Sequence, residues 1–483
     1  MAAATTHVAI DIGTSSGTCV LGAVGPETLT VEEVHRFDSR LLDDENRREW
    51  HLEHLIDEIL VGIEAATART DEIESIGIDA TAAGFGFVAD GKPMGNPARE
   101  GVARPLDASH RDAFFETGHR RLPLTYYYQQ QEHPEIVENA DWLLLVPQLL
   151  GFLLGGNPAG EVTYAISGGL GSTRTWDWAT PVLEDWGLPT DILPPTVEHG
   201  ESHGRLSEPI AEELSLGSSP AIRTVAGHDT SSAVAAIPFS DDECAFLATG
   251  SWFIPGFELE EPVISDTAFE TKTENVGGIA STSRFVRNIQ AFSILERFRR
   301  HWSASGYDVE YDRLLRDAAA APAFETLVDT TDERVRRGEP YPDVSAGFQA
   351  YCTSTDQPVP REPGVVTRCL LESLAAESAV LIEHLAALSG ESPSELRLVG
   401  GGAKNAMLCQ FVADALNVPV LAGAPEATAI GNLLTQAMGA GTLESLTEAR
   451  AVSRKHIRFD RYDAVSPNDW QRPKARMATL LLE

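Results

Sequence analysis

The sequence is poor in cysteine, in lysine and in long apolar runs. Its 483 residues contain five scattered cysteines with no CxxC spacing. This argues against a disulfide framework or a structural zinc site and favours buried thiols. No apolar run approaches the ~20 residues that cross a bilayer, and the N-terminus lacks the basic and apolar regions of a secretory signal. We therefore expect a cytoplasmic protein that does not bind membranes.

The scarcity of lysine accompanies a strongly acidic composition. The chain has 37 Lys and Arg against 72 Asp and Glu, and its formal net charge is −35. Because the acidic residues are spread along the chain, the surface should repel nucleic acid and anionic membranes. Self-repulsion also destabilises the compact state at low ionic strength, and salt screens it. We interpret this composition as an adaptation to a high-salt cytoplasm; an ordinary acidic enzyme is the alternative.

The length of the chain predicts two or three domains, and the hydrophobic content of 43% supports packed cores. Residues 7–24 and 243–257 are each typical of a strand, a Gly/Ser/Thr turn and a second strand. Apolar residues at helical spacing mark 51–68 and 364–388, so the pattern indicates an α/β protein. The recurrence of the hairpin half a chain later suggests duplicated halves, with chance similarity as the alternative.

Two common nucleotide motifs are absent. The chain has no G-x-x-x-x-G-K-[ST] and no clean G-x-G-x-x-G after a strand, so a nucleotide site must be of another type. Asp11 precedes a tip of small residues, 13–18, whose N–H and hydroxyl groups could approach phosphate oxygens. An Asp at its base suits hydrated Mg²⁺, although a plain turn also explains the pattern. A second tip at 248–252 would allow two tips to hold one polyphosphate.

Two further segments carry candidate chemistry. The glycines of VGGGAKN (399–405) would let a flat ligand approach the backbone before a helix, with Asn405 bonding an adenine or ribose edge. A tight strand-to-helix connection is the alternative. The segment GHDTSSAV (227–234) places Asp229 at a helix start. There it caps the helix, accepts a proton from a substrate hydroxyl, or does both.

In chain order, AIDIGTSSG, GHDTSSAV, LATGSW and VGGGAKN…EATAIGN resemble the motifs of the FGGY carbohydrate kinases, and within them the rhamnulokinase subgroup. The similarity covers nearly the whole chain, and the combination of motifs is specific although each motif alone is not. It implies an α/β fold of duplicated actin/hexokinase-like (ribonuclease H-like) ATPase domains flanking a cleft. The N-terminal domain, 1–237, would bind sugar and phosphate. The C-terminal domain, 238–483, would bind the nucleotide and end in a helical tail.

The resemblance implies an ATP- and Mg²⁺-dependent kinase that phosphorylates O1 of a ketose, with L-rhamnulose as the first candidate. Asp229 would be the catalytic base, and Asp11 would coordinate Mg²⁺. The residues expected to bind the sugar are His228, Thr230, Asn288 and Ala82. Those expected to bind ATP are Thr14, Ser15, Ser16, Gly17, Thr18, Gly250, Ser251, Glu296, Gly401, Gly402 and Asn405.

Most positions at which this sequence differs from the rhamnulokinase pattern are ones that would face the sugar. They comprise Thr81, Ala82 and Gly84 for Trp, Gly and Asp, a different segment at 98–104, Thr125 for Asn and Gln148 for Asp. On the nucleotide side, Thr18 and Glu296 replace an Arg and a Gln. The alternatives are therefore a kinase for L-fuculose, xylulose or a similar sugar, or a non-catalytic relative that senses sugar or nucleotide. The expected partners are a small sugar and ATP.

Overall fold

The computed structural model describes residues 3–14, 16–43, 48–81, 84–99, 109–239 and 245–482. Strands and helices are numbered in chain order. The strands are β1 (Thr5–Ile12), β2 (Ser16–Gly25), β3 (Thr28–Leu29), β4 (Glu32–Asp38), β5 (Leu41–Asp43), β6 (Arg48–Trp50), β7 (Ser75–Ala80), β8 (Gly84–Ala89), β9 (Lys92–Pro93), β10 (Ala98–Arg99), β11 (Trp142–Leu145), β12 (Gly171–Ser172), β13 (Asp177–Trp178), β14 (Ser202–Arg205), β15 (Ala221–Arg223), β16 (Ala245–Thr249), β17 (Trp252–Leu259), β18 (Glu274–Gly277), β19 (Ser283–Val286), β20 (Ile289–Gln290), β21 (Leu396–Gly400), β22 (Val420–Gly423) and β23 (Phe459–Tyr462).

Helices are interspersed with these strands, which agrees with the α/β prediction. They are α1 (Leu52–Thr67), α2 (Ser109–Thr117), α3 (Leu124–Glu132), α4 (Pro134–Asn139), α5 (Val146–Leu153), α6 (Val162–Ser167), α7 (Thr180–Asp185), α8 (Glu208–Glu213), α9 (Asp229–Ala235), α10 (Asp266–Glu270), α11 (Phe292–Ala304), α12 (Tyr311–Ala320), α13 (Glu333–Arg336), α14 (Val344–Ser354), α15 (Pro363–Ser389), α16 (Ala406–Leu416), α17 (Ala427–Gly439), α18 (Leu446–His456) and α19 (Pro467–Leu482). None of these helices is long and apolar enough to cross a membrane.

The chain divides into two compact units. Unit one comprises Met1–Phe239, Glu258–Phe285 and Glu426–Ile457. Unit two comprises Ser240–Phe257, Val286–Pro425 and Arg458–Glu483. Each unit is therefore made of several chain segments. The predicted boundary between residues 237 and 238 stays a prediction.

Unit one is built on a larger mixed sheet and a smaller antiparallel sheet. The larger has the strand order β14-β15-β7-β1-β2-β3, and the smaller has the order β11-β8-β10-β6-β5. In the larger sheet β1 runs antiparallel to β2 and parallel to β7, which in turn runs parallel to β15. Helix α1 buries Leu55, Ile59 and Ile63 at helical spacing, as the sequence predicts.

Unit two repeats this pattern of pairings. Its strands follow the order β17-β16-β21-β22-β23. Strand β16 runs antiparallel to β17 and parallel to β21, which runs parallel to β22. An antiparallel hairpin followed by two parallel neighbours therefore occurs in both units. This confirms the duplicated architecture that the two hairpin signals suggest.

Helix ends follow the local chemistry of the sequence. Helix α15 has Pro363 as its first residue and ends at Gly390, whose φ of 82° lies in the left-handed region that favours glycine. At the C-terminus the sequence indicates a helix and a loose tail, whereas the structure also contains β23, which pairs with β22. The described cysteines, Cys19, Cys352, Cys369 and Cys409, are buried free thiols as expected; Cys244 lies outside the described residues.

Candidate functional site

Three carboxylates of unit one, those of Asp11, Asp79 and Asp229, are close enough to interact through their charges. Asp11 and Asp79 are register partners on the parallel strands β1 and β7, and Asp229 begins α9. Burial and the charge of Asp229 raise the pKa of Asp11 to about 7. Burial and the charge of Asp11 raise the pKa of Asp79 well above its usual range, although Asn432 donates to its Oδ2 at 2.6 Å. Such a cluster needs a proton or a cation to offset its repulsion.

The acidic cluster suits a cation that takes few protein ligands. The Oδ1 atom of Asp11 is buried and has no hydrogen-bond partner among the described residues. Within those same ranges no group of three or more His, Cys, Asp and Glu side chains is arranged to hold a metal ion. Mg²⁺ commonly takes only one or two carboxylates and completes its shell with phosphate oxygens and water. The donor set at Asp11 therefore fits Mg²⁺ brought in with a phosphate ligand.

Asp229 is the first residue of α9 rather than its cap. The N-cap position belongs to His228, whose side chain makes no capping bond. The Asp229 Oδ1 atom accepts from the N–H of the next residue, Thr230, at 2.5 Å and from its Oγ1 at 3.0 Å. The expectation that Asp229 caps the helix is therefore corrected, because His228 occupies the N-cap position and Asp229 lies in the first turn. Three expected residues, Asp229, His228 and Thr230, are brought together here.

A buried arginine supports this group. The Arg284 guanidinium is 1% exposed and donates through Nη2 to His228 Nδ1 at 2.8 Å and to Ser231 Oγ at 2.6 Å. Its Nε donates to the carbonyl of Gly277 at 3.1 Å. Burial and the positive charge of Arg284 hold the pKa of His228 well below its usual range. Sequence reasoning missed Arg284, which lies 56 residues beyond His228.

A second buried charge, the carboxylate of Glu161, holds the backbone of Gly227 in place just before α9. The Glu161 carboxylate accepts from the N–H groups of Thr163, Tyr164 and Gly227 at 2.8, 2.9 and 2.8 Å, and from His199 Nε2 at 2.7 Å. Burial opposes its ionisation, but the His199 and Thr163 bonds leave its pKa below the ordinary value. Glu161 thus caps α6 and at the same time anchors the residue before His228. No local motif marks it.

The first small-residue tip lies between β1 and β2. The N–H of Gly13 donates to the carbonyl of Ser16 at 3.0 Å and closes the turn. A Cβ on Gly17 would lie 2.2 Å from the Phe37 ring, so packing alone already requires glycine there. Thr18 pairs with Asp11 across the hairpin. The roles of Thr14, Ser16, Gly17 and Thr18 in ATP binding stay predictions, and Ser15 and Ala82 lie outside the described residues.

The second tip lies between β16 and β17 in unit two. The N–H of Gly250 donates to the Trp252 carbonyl at 2.9 Å, and the Ser251 carbonyl accepts from the N–H of Ala291 at 3.0 Å. The Asn288 Oδ1 atom is buried without a hydrogen-bond partner in the described ranges, so it can accept from a ligand. Glu296 instead pairs with Arg299 at 2.7 Å. The assigned roles of Gly250, Ser251, Asn288 and Glu296 stay predictions.

The glycine loop of unit two is organised by Thr249, which belongs to the second tip at 248–252 but was not expected to contact this loop. Thr249 accepts from the N–H of Gly402 at 2.9 Å and donates to the carbonyl of Val399 at 2.5 Å. A Cβ on Gly402 would lie 2.7 Å from the Thr249 side chain, whereas one on Gly401 would meet no heavy atom nearer than 4.0 Å. Internal packing therefore requires glycine at 402 but not at 401, where close approach of a ligand would require it.

Asn405 is the N-cap of α16, which follows the glycine loop as the sequence predicts. Its Oδ1 accepts from the N–H of Leu408 at 3.1 Å, which caps the helix, and its Nδ2 donates to the Tyr311 hydroxyl at 3.2 Å. Both ends of the side chain are therefore engaged within unit two. A bond from Asn405 to adenosine stays a prediction.

Comparison with known proteins gives three consistent results. The model of the C-terminal domain of the FGGY family of carbohydrate kinases matches residues 245–440. The chain is 33% identical to a rhamnulokinase of Bacteroides thetaiotaomicron, with 96% of each chain covered. It is 30% identical to a rhamnulokinase of Oceanobacillus iheyensis, over 94% of this chain and 97% of the relative.

The fold is similar to that of solved sugar kinases. A gluconate kinase from Lactobacillus acidophilus superposes with a TM-score of 0.76 at 14% identity, covering 99% of this chain and 97% of that one. At this identity the likeness shows the shared fold alone, whereas the sequence relatives are similar over nearly the full length. The chain belongs to the FGGY family of carbohydrate kinases and is an ATP-dependent sugar kinase.

Proposed function

We propose that this kinase phosphorylates a ketose at O1, with L-rhamnulose as its substrate. The observation that carries the proposal is the 33% identity to a rhamnulokinase over 96% of the chain. The geometry around Asp229 supports the reaction type, because a carboxylate beside a neutral imidazole can accept a hydroxyl proton without competition from that imidazole.

Each residue of the proposed site has a separate task. Asp229 accepts the proton of the attacking hydroxyl, while Thr230 fixes the orientation of its carboxylate. Asp11 is the proposed ligand of Mg²⁺, through the buried Oδ1 atom that lacks a protein partner within the described ranges. When bound, Mg²⁺ neutralises the charge of the transferred phosphoryl group. The N–H groups of the two small-residue tips are the proposed donors to phosphate oxygens.

The specificity for the sugar depends on residues that depart from the subgroup pattern. Gly84 is buried in β8, and a Cβ there would lie 2.9 Å from Val146 and 3.0 Å from Trp50, so this position offers the sugar no side chain. Gln148 is buried on α5 with no hydrogen-bond partner for its Oε1 in the described part of the chain. Hydroxyl recognition discriminates strongly when such buried polar groups pair only with the right substrate.

A panel of ketoses tests the substrate. We expect purified protein in molar KCl with ATP and Mg²⁺ to give its highest kcat/KM with L-rhamnulose, compared with L-fuculose and xylulose. ADP release measures turnover, and mass spectrometry of the product identifies a 1-phosphate. A higher kcat/KM for another ketose would replace L-rhamnulose as the substrate. Binding of every sugar without turnover would contradict the proposed reaction.

The glycine loop provides an independent test of nucleotide binding. Gly401→Ala should raise the KM for ATP by roughly 5- to 150-fold, the equivalent of about 1–3 kcal/mol of steric conflict with a ligand. The fold should not change, because a Cβ at 401 meets no protein atom within contact distance. Gly217→Ala, at an exposed and equally open position, is the matched control. An unchanged KM for ATP in Gly401→Ala would remove Gly401 from the nucleotide site.

A further inference from the structure

The imidazole of His228 is held on one side by a group that can only donate. Its Nδ1 lies 2.8 Å from Nη2 of Arg284, and both side chains are buried. A guanidinium carries five N–H donors and no acceptor. The Nδ1 atom facing it must therefore be unprotonated. The geometry alone fixes which ring nitrogen of His228 accepts.

The charges around this pair are consistent with that assignment. Burial lowers the pKa of Arg284 to about 10, while the charges of Asp229, Glu258 and Glu161 oppose the shift, so the guanidinium stays charged at neutral pH. Burial and the charges of Arg284 and Arg121 hold the pKa of His228 well below its usual range. The ring is therefore neutral, and its one proton lies on Nε2.

The Nε2 atom of His228 lies near the proposed base. It is 3.5 Å from Asp229 Oδ1, at the limit of a hydrogen bond. That oxygen already accepts from both the N–H and the hydroxyl of Thr230. A substrate oxygen placed beside Asp229 would be a better acceptor for the Nε2–H than this crowded carboxylate oxygen.

We propose that Arg284 is a positioning residue that holds His228 as its Nε2–H tautomer, so that the imidazole donates a hydrogen bond to the sugar oxygen next to the hydroxyl that Asp229 deprotonates. The inference rests on the proposed function of Asp229. With this tautomer, His228 is a hydrogen-bond donor to the sugar. The sugar must then carry an acceptor on the carbon next to the one that bears the phosphorylated hydroxyl. The C2 oxygen of a ketose meets this requirement for transfer at O1.

The position of Arg284 suits this role because it is fixed from other directions. Its Nε bonds the carbonyl of Gly277, at the end of β18, and its Nη2 also bonds Ser231 on α9. Ser231 in turn donates to the same Gly277 carbonyl at 2.8 Å. Because the guanidinium is anchored to both elements, its plane and its distance from His228 are set before any ligand binds.

Nitrogen NMR of the full-length protein labelled with ¹⁵N-histidine tests the tautomer directly. The His228 signals are identified as those that disappear in His228→Gln. In the wild-type protein without ligand we expect a protonated Nε2 and an unprotonated Nδ1. In Arg284→Met the Nε2–H tautomer should no longer be fixed, and kcat/KM for the ketose should fall by about 10- to 100-fold, the effect of losing a charge-assisted hydrogen bond.

Arg284→Lys and Ser231→Ala separate positioning from folding. Lysine is again a charged donor without an acceptor, so the Nε2–H tautomer and part of kcat/KM should be restored relative to Arg284→Met. Ser231→Ala removes another partner of Arg284 but leaves the contact with His228, so the tautomer should not change. If Arg284→Met does not fold, the wild-type spectrum still tests the inference, because a proton on Nδ1 of His228 would contradict it.

Three outcomes overturn the inference. They are a wild-type His228 protonated on Nδ1, a charged imidazolium at neutral pH, and a folded Arg284→Met that retains both the Nε2–H tautomer and full kcat/KM. Failure of the proposed function has a different signature. In that case no ketose is phosphorylated by the wild-type protein, whereas the NMR spectrum still decides whether Arg284 fixes the tautomer.

Discussion

Asp229→Asn should lower kcat for sugar phosphorylation by about 10²- to 10⁴-fold, the usual contribution of a general base. The carboxamide cannot accept the hydroxyl proton, but its Oδ1 can still accept from the N–H and hydroxyl of Thr230, so the start of α9 should be retained. The expected loss is therefore confined to the chemical step. The measurement is steady-state ADP release with saturating ketose, together with calorimetric titration of ADP.

The control for this variant is a matched change at an exposed aspartate of the same unit. Asp71→Asn also removes one negative charge but lies on the surface of unit one, so its kcat should equal that of the wild type. ADP affinity and the unfolding midpoint should be the same in both variants and the wild type. Full activity of Asp229→Asn would exclude Asp229 as the base, and loss of ADP binding would show that its effect is not limited to proton transfer.

Most of the secondary structure could be predicted because it depends on local patterns. The β1–β2 and β16–β17 hairpins follow from apolar strands around small-residue turns, and α15 follows from apolar residues at helical spacing between Pro363 and Gly390. Strand β23 could not be predicted in this way. Its four residues, Phe459–Tyr462, do not alternate between apolar and polar, and their strand conformation depends on pairing with β22.

The residues of the candidate site likewise fall into those marked by a local sequence pattern and those that depend on the fold. Asp11, Asp229 and the 399–405 loop lie in segments whose glycines and small residues stand out locally. Arg284 and Glu161 do not stand out in this way, because their partners are distant in sequence. Arg284 contacts His228, 56 residues away, and Glu161 contacts Gly227, 66 residues away. A buried charge has no sequence signature of its own, since its burial depends on partners that only the fold brings together. The residues that position the proposed base were therefore found from the structure alone.

Gly431→Ala should destabilise unit one by about 2 kcal/mol and lower kcat as well. Helix α17 crosses α9 so closely that a Cβ at 431 would lie 1.7 Å from the carbonyl oxygen of Ser232. Overpacking costs about 1–3 kcal/mol, and more where backbone must move. The gain of ~1 kcal/mol from alanine in a helix offsets part of this cost. Because Ser232 lies three residues after Asp229, moving α9 should also displace the proposed base.

Urea unfolding followed by circular dichroism, with kcat measured on the same samples, tests this expectation. Gly217→Ala is the control, since its Cβ would meet no heavy atom within 4 Å and its unfolding free energy should change by less than about 0.5 kcal/mol. The two variants add the same methyl group to unit one, so a difference between them measures the contact between α17 and α9. Equal stability of Gly431→Ala and the wild type would mean that the two helices do not approach this closely in solution. A loss of stability without a loss of kcat would show that α9 keeps Asp229 in place even when its packing against α17 is strained.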